Sequence, residues 1–311
     1  MNPDIITVDT GFQRPCFDAA YLIVENGRGA FVDCGTSLSV PRLLAAIRDA
    51  GLAPENIDWL LLTHVHLDHA GGAGALMREL PNARAVVHPR GAPHMIDPAK
   101  LIAGATAVYG EEEMARSYGT IVPIPAERVD IANDGHVVEL AGRALLCLDT
   151  PGHASHHFCV WDGKSRSIFT GDTFGISYRD FDSANGIHLF PTTTPVQFDP
   201  EALKASIRKL VALQPEHAYL THYGRIGDIA ANAQVLIGQI DAMVAIAMER
   251  IDAEQRHARI CEALADFYAP RAAAVSGLPE TRARELLAMD IELNAQGLGV
   301  WLDRIRRNQN A

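Results

Sequence analysis

The stretch from Ile57 to Gly72 constrains this chain more than any other. A short apolar run, Asp58 to Leu62, reads as a buried strand and ends in four potential metal ligands within six residues: His64, His66, Asp68 and His69. Packing alone does not ask for that. Imidazole nitrogen and carboxylate oxygen are donors that Zn²⁺, Fe²⁺ and Mn²⁺ accept. Side chains at i and i+2 of an extended segment point the same way, so His64 and His66 can grip one ion. Asp68 and His69 fall where the chain turns and can face a neighbouring position, so the spacing suggests two adjacent metals. Ala70-Gly71-Gly72 then marks a close backbone approach or an unusual turn.

Further candidates sit at the ends of other predicted strands. Asp33, in Asp33-Cys34-Gly35-Thr36, is either turn chemistry or a carboxylate supporting a histidine ligand. His153 follows a strand and a Pro151-Gly152 turn, and three histidines from two strand ends would complete one site with a position open for solvent. His156 and His157 precede the strand Phe158 to Trp161 and read as structural residues. Asp172 follows the strand Ser167 to Thr170, where its two oxygens can bridge cations about 3.5 Å apart. His222 ends a strand that follows the helix Pro200 to Leu213, and supplies the ligand that the second site lacks.

Thr63-His64-Val65-His66-Leu67-Asp68-His69-Ala70-Gly71-Gly72, Thr150-Pro151-Gly152-His153, Thr170-Gly171-Asp172-Thr173 and Thr221-His222, with Asp33-Cys34-Gly35 ahead of them, together resemble the metallo-β-lactamase superfamily in content and order, over residues about 15 to 225. The resemblance implies an α/β (α+β) fold, an αββα sandwich with a binuclear site at one edge of two facing sheets. It implies His64, His66 and His153 on one metal, Asp68, His69 and His222 on the other, and Asp172 shared. Two Zn²⁺ are the expected cofactors, with Fe or Mn as alternatives.

Such a site implies a hydrolase in which a metal-bridging hydroxide attacks an ester, thioester or lactone carbonyl. Asp68 could also orient the nucleophile or carry a proton, a catalytic role besides ligation. Tyr223, beside His222, and Tyr178, six residues past Asp172, are candidate substrate contacts that read more readily as structural. His188 lies in the stretch Asp182 to Pro195, a loop expected to line the substrate pocket. The bridging position holds Asp172 where secreted lactam-hydrolysing members carry cysteine. The glyoxalase II branch shares the ligands, but its glutathione-binding lysine and tyrosine find no match in Phe174 to Phe181. An iron-dependent oxidoreductase resembling the persulfide dioxygenases, and a quorum-signal lactonase, are the alternatives.

Composition limits the partners. With 27 basic against 38 acidic residues, a formal charge of −11 and no Lys/Arg block, there is no electrostatic footprint for nucleic acid. A small-molecule substrate is expected. No stretch reads as about 20 consecutive apolar residues, so neither a membrane span nor an export signal is expected and the cytoplasm is the default location. The five scattered cysteines, Cys16, Cys34, Cys147, Cys159 and Cys261, read as reduced thiols.

Strand signals alternate with helix signals up to Gly224, and residues 228–311 carry helical periodicity: Ile229 to Arg250, Asp252 to Tyr268 and Pro279 to Arg307, with Pro270 and Ser276-Gly277-Leu278-Pro279 as separators. The expected organisation is a catalytic domain over 1–225 and a C-terminal helical appendage over 226–311, serving as packing, a pocket lid or a homodimer contact. Between Pro89 and Arg116, helical pieces are expected, separated by Pro93, Pro98 and Gly104.

Overall fold

The computed structural model describes residues 4–193 and 196–309. They form two compact units that interleave along the chain. The first comprises residues 4–149, 156–171 and 215–227, and the second 150–155, 172–193, 196–214 and 228–309.

The first unit holds both sheets. One sheet runs in the order β1 (Ile5–Asp9), β2 (Ala19–Glu25), β3 (Arg28–Val32), β4 (Ile57–Leu62), β5 (Arg84–Val87) and β6 (Val129–Ile131). It begins antiparallel through β1, β2 and β3 and continues parallel from β3 to β6. Asn26 and Gly27 close the β2–β3 hairpin, both at positive φ, 46° and 75°, as a tight turn between right-twisted strands requires. The second sheet contains β7 (Val137–Leu140), β8 (Arg143–Asp149), β9 (Phe158–Asp162), β10 (Ser167–Phe169), β11 (His217–Leu220) and β12 (Gly224–Ile226), adjacent in that order. Only β10 and β11 pair in parallel there. β12 carries too short an apolar run to register in the sequence.

Alternation along the strands divides the core in two. Ala19, Tyr21 and Ile23 of β2 point toward Val138, Leu145, Val160, Phe169 and Tyr219 of the second sheet. Ala20 and Leu22 point the other way, onto α1 (Val40–Asp49), which buries Leu43 and Ile47, and onto Leu76 and Met77. The sandwich is therefore fixed by period-two patterning on both faces of one sheet. After β4 come α2 (Leu67–Ala70), a single turn that the sequence reading missed, and α3 (Ala73–Glu79). Gly72 lies between them because a Cβ there would strike the carbonyl of Thr36, while its own N–H bonds Gly35 O at 2.9 Å. The expected helical pieces follow as α4 (Ala92–Ile96), α5 (Ala99–Tyr109) and α6 (Glu111–Glu113). Neither Pro93 nor Gly104 separates pieces as expected: Pro93 lies in the first turn of α4, where a missing N–H costs no helical bond, and Gly104 lies inside α5, with open space around it.

The second unit is mostly helical, with α7 (Pro200–Val211), α8 (Ile229–Met248), α9 (Arg256–Ser276) and α10 (Glu280–Gln309). Pro270, expected as a break, lies within α9. A proline removes one backbone donor, and here the burial of Ile260, Leu264, Tyr268, Ala269 and Ala272 along one stripe carries the helix through it. α8 also corrects an expectation. Its 20 residues, at a mean hydropathy of 1.5, are long and apolar enough to cross a membrane by length and composition. Its stripe Ala233, Leu236, Ile240, Met243 and Ala247 is buried, and 33% of the apolar window is buried in all.

Several expected contact residues are packed into this unit. Tyr178 is wholly buried and donates its hydroxyl to Asp290 Oδ1 at 2.9 Å, which favours its structural reading. His188 lies between Phe181 and Phe190, with ring centroids 5.4 Å from each. Gln239 Nε2 donates to Leu189 O at 2.9 Å, and Asn294 bridges Pro191 O and Thr193 N, so 189–193 is pinned to α8 and α10. Thr194 and Pro195, the end of the expected pocket loop, lie outside the described residues.

Burial, reinforced by Arg271, pushes the His188 pKa down to about 4. The unfolded chain, titrating near 6.5, therefore binds the proton first on acidification. Stability that is fully present above about pH 6.5 is lost as the pH falls toward 4, by roughly 3 kcal/mol from this residue. A His188→Phe variant is expected to show a flatter decline in urea midpoint from pH 7 to 4.5. A decline as steep as in the parent protein would place the acid sensitivity elsewhere.

Candidate metal centre

Within the first unit, strand ends and tight turns gather the expected residues. His64 and His66 follow β4, with His64 Nε2 and His66 Nδ1 2.7 Å apart. Asp68 and His69 lie on α2, and His222 follows β11. Asp68 Oδ2 is 3.4 Å from His222 Nε2 and 3.9 Å from His69 Nε2. One donor atom from each of Asp68, His69 and His222 lies within 4.8 Å of the others. Asp68 keeps 25% of its side chain exposed, while His69 is fully buried.

The far nitrogens of two of these rings are engaged. His69 Nδ1 donates to Asp33 Oδ2 at 3.0 Å, and His222 Nδ1 to the carbonyl of Phe17 at 2.9 Å. Donation at Nδ1 fixes the tautomer and leaves each Nε2 lone pair for a cation. Imidazole nitrogens orientated this way, together with a carboxylate, are a donor set that fits a divalent transition ion.

Asp33 is the hub beneath them. It is 1% exposed and sits at φ 56°. Its carboxylate accepts from Thr63 N at 2.8 Å, Thr63 Oγ1 at 2.8 Å, Thr221 Oγ1 at 3.0 Å and His69 Nδ1. The sequence reading of Asp33 as a support for a histidine ligand therefore has a direct contact behind it. The two threonines had no assigned role, although each immediately precedes a candidate ligand, Thr63 before His64 and Thr221 before His222. That repetition was the available signal.

Asp18 was missed altogether. It is fully buried, accepts from Thr10 Oγ1 at 2.6 Å, and burial lifts its pKa to about 7 against the pull of His222 and His69. Nothing in Phe17-Asp18-Ala19 marks it in a sequence. His157, fully buried, stacks on His64 with centroids 4.9 Å apart, and His156 stacks at 6.2 Å, so both pack beside a candidate ligand. Tyr223 is half-buried and packs against the core between the sheets.

The second unit holds the other two expected ligands. His153 stands on the turn after β8, where Gly152 at φ 133° leaves no space for a Cβ against the Leu203 backbone, and Ser206 Oγ donates to Pro151 O at 2.7 Å. His153 Nδ1 faces Thr192 O at 3.3 Å and its Nε2 lies 3.3 Å from Asp172 Oδ2. Asp172 is 6% exposed. His153 repeats the arrangement of His69 and His222, with one nitrogen on a protein oxygen and the other beside a carboxylate.

Comparison with known proteins identifies the family. The hydroxyacylglutathione hydrolase of Cronobacter sakazakii is 28% identical over 240 residues, covering 73% of this chain and 80% of the relative. The atrochrysone carboxyl ACP thioesterase of Aspergillus fumigatus is 29% identical over 213 residues, 67% of this chain and 53% of that protein. Among solved structures, an archaeal metallo-β-lactamase superfamily protein from Sulfolobus tokodaii superposes with a TM-score of 0.67 at 21% identity, covering 96% of this chain and 99% of the other, which shows the shared fold. The model of the metallo-β-lactamase superfamily matches residues 14–222, the stretch that carries every candidate ligand. Both the sandwich and the histidine–aspartate pattern are thereby accounted for: the chain belongs to the metallo-β-lactamase superfamily.

Proposed function

We propose that this protein is a binuclear metal-dependent hydrolase of acyl esters, with thioesters the leading class and lactones the alternative. The observation that carries the reading is the convergence of Asp68, His69 and His222 within 4.8 Å, with the two imidazoles held at Nδ1 by Asp33 and the Phe17 carbonyl. His64, His66 and His153 would hold one ion and Asp68, His69 and His222 the other, with Asp172 shared, and two Zn²⁺ suit these nitrogen and oxygen donors. Bound metal ions supply Lewis acidity and ionise water near neutral pH.

The chain's own residues supply order and proton handling. Asp33, Thr63 and Thr221 hold the His69 ring in one tautomer. Asp68, partly open to solvent, is the carboxylate placed to hold a proton and pass it to a leaving group. The names of two relatives support an acyl thioester substrate, since an acylglutathione and an acyl carrier protein conjugate are both thioesters. The stretch Phe174 to Phe181 lacks the glutathione-binding pair, which favours an acyl donor other than glutathione.

The reading includes a small-molecule substrate, no nucleic-acid or membrane partner, and a cytoplasmic location. The formal charge of −11 without a Lys/Arg block supports the lack of a nucleic-acid partner, and the odd number of scattered cysteines with no Cys-x-x-Cys pair supports a reducing compartment. The test is a panel of acyl thioesters, aryl esters and lactones, run beside an oxygen electrode. Turnover that falls on chelation and returns with Zn²⁺, without oxygen uptake, is expected. Oxygen consumption by an iron-loaded preparation that hydrolyses none of the panel would contradict it.

A further inference from the structure

Outside the family-matched region, α9 and α10 form a helical hairpin whose facing sides carry a second cluster of donors of different character. His257 and Cys261 are four residues apart on α9 and so share one face of the helix. Glu292 reaches them from α10. His257 Nε2 lies 2.9 and 3.1 Å from the two Glu292 oxygens, and Cys261 Sγ lies 3.5 Å from both His257 Nε2 and Glu292 Oε2. One donor from each lies within 4.8 Å of the others.

These separations are close to those of a filled site. Tetrahedral zinc, with bonds of about 2.0–2.3 Å, holds its ligand atoms about 3.3–3.7 Å apart. The two sulfur separations already match, and the nitrogen–oxygen pair needs to open by only a few tenths of an ångström. Gln296 Nε2 donates to Glu292 Oε1 at 2.8 Å and orients the carboxylate, as an outer partner of a metal ligand does. His257 and Glu292 are each about half exposed, at 49% and 50%, so an ion can enter from solvent and keep water as its fourth ligand.

We propose that His257, Cys261 and Glu292 form a separate site for a thiophilic divalent ion, Zn²⁺ or Co²⁺, that clamps α9 to α10. A thiolate, an imidazole and one carboxylate disfavour Mg²⁺ and Ca²⁺, which take oxygen ligands. The site does not depend on the hydrolase reading: its ligands lie beyond residue 222, and none of the residues assigned to that reaction is a cysteine.

That difference supplies the test. The full chain is stripped with a chelator and titrated with Co²⁺ alone, and the thiolate-to-cobalt charge-transfer absorption is followed. The parent protein should develop the band, Cys261→Ser should lack it, and His257→Ala and Glu292→Gln should weaken binding at least tenfold. Excess Zn²⁺ should abolish the band and raise the thermal midpoint of the parent more than that of Cys261→Ser. Hydrolytic turnover should be the same in Cys261→Ser as in the parent. No band in the parent, a band surviving in Cys261→Ser, or unchanged binding in both His257→Ala and Glu292→Gln would overturn the proposal.

Discussion

An Asp33→Ala variant is expected to lose about 3–5 kcal/mol of stability, the cost of removing one partner from a buried charged hydrogen-bond network. Thr63 N, Thr63 Oγ1, Thr221 Oγ1 and His69 Nδ1 would all be left without this acceptor inside the protein. Alanine also fits poorly at φ 56°, a conformation that Asp and Asn adopt more readily. Asp33→Asn separates the two effects. It keeps the backbone preference and the volume, but its NH₂ group cannot accept from every donor at once. The Asn variant should therefore fold with a smaller loss while binding metal about 10–100-fold more weakly, the usual cost of losing a partner that orients a ligand. Urea unfolding and metal titration of both variants check this. Parent-like stability in Asp33→Ala would mean that the network does not hold the site.

The second large effect is expected at Asp172. Its carboxylate, 6% exposed with Oδ2 3.3 Å from His153 Nε2, is the group assigned to both ions. Asp172→Ala should lower kcat/KM for the best thioester about a thousandfold, or about 4 kcal/mol of transition-state stabilisation, and should release at least one equivalent of metal. His156→Ala is the control. Because His156 stacks beside His64, its loss should lower stability more than metal content. Unchanged metal and activity in Asp172→Ala would remove the shared carboxylate from the account.

The ligand pattern was legible because chemistry and packing disagree there. Asp58 to Leu62 is apolar enough to be a strand, and the residues after it are too polar and too alike in donor type to be explained by burial. Asp33 was readable as a candidate but not as a hub, since its partners Thr63 and Thr221 are 30 and 188 residues away. Asp18 left no trace because a single carboxylate before a strand has no spacing to betray it. Pro270 was misread for the opposite reason: a local rule about helix ends yielded to the buried stripe of α9. Tyr178 and His188 follow Asp172 closely in sequence, yet the fold turns both into the interior of the helical unit. The interleaving of the two units also escaped sequence reading, because hydrophobic periodicity reports which face is buried and not which distant segment covers it.

The central claim is most directly tested by metal content and thioester turnover measured on one preparation, purified without added metal and then stripped and refilled. Two tightly held ions per chain are predicted, with turnover lost on chelation and restored as Zn²⁺ is added back. Turnover that survives complete removal of metal would contradict it, as would a fully loaded protein that hydrolyses no thioester, ester or lactone.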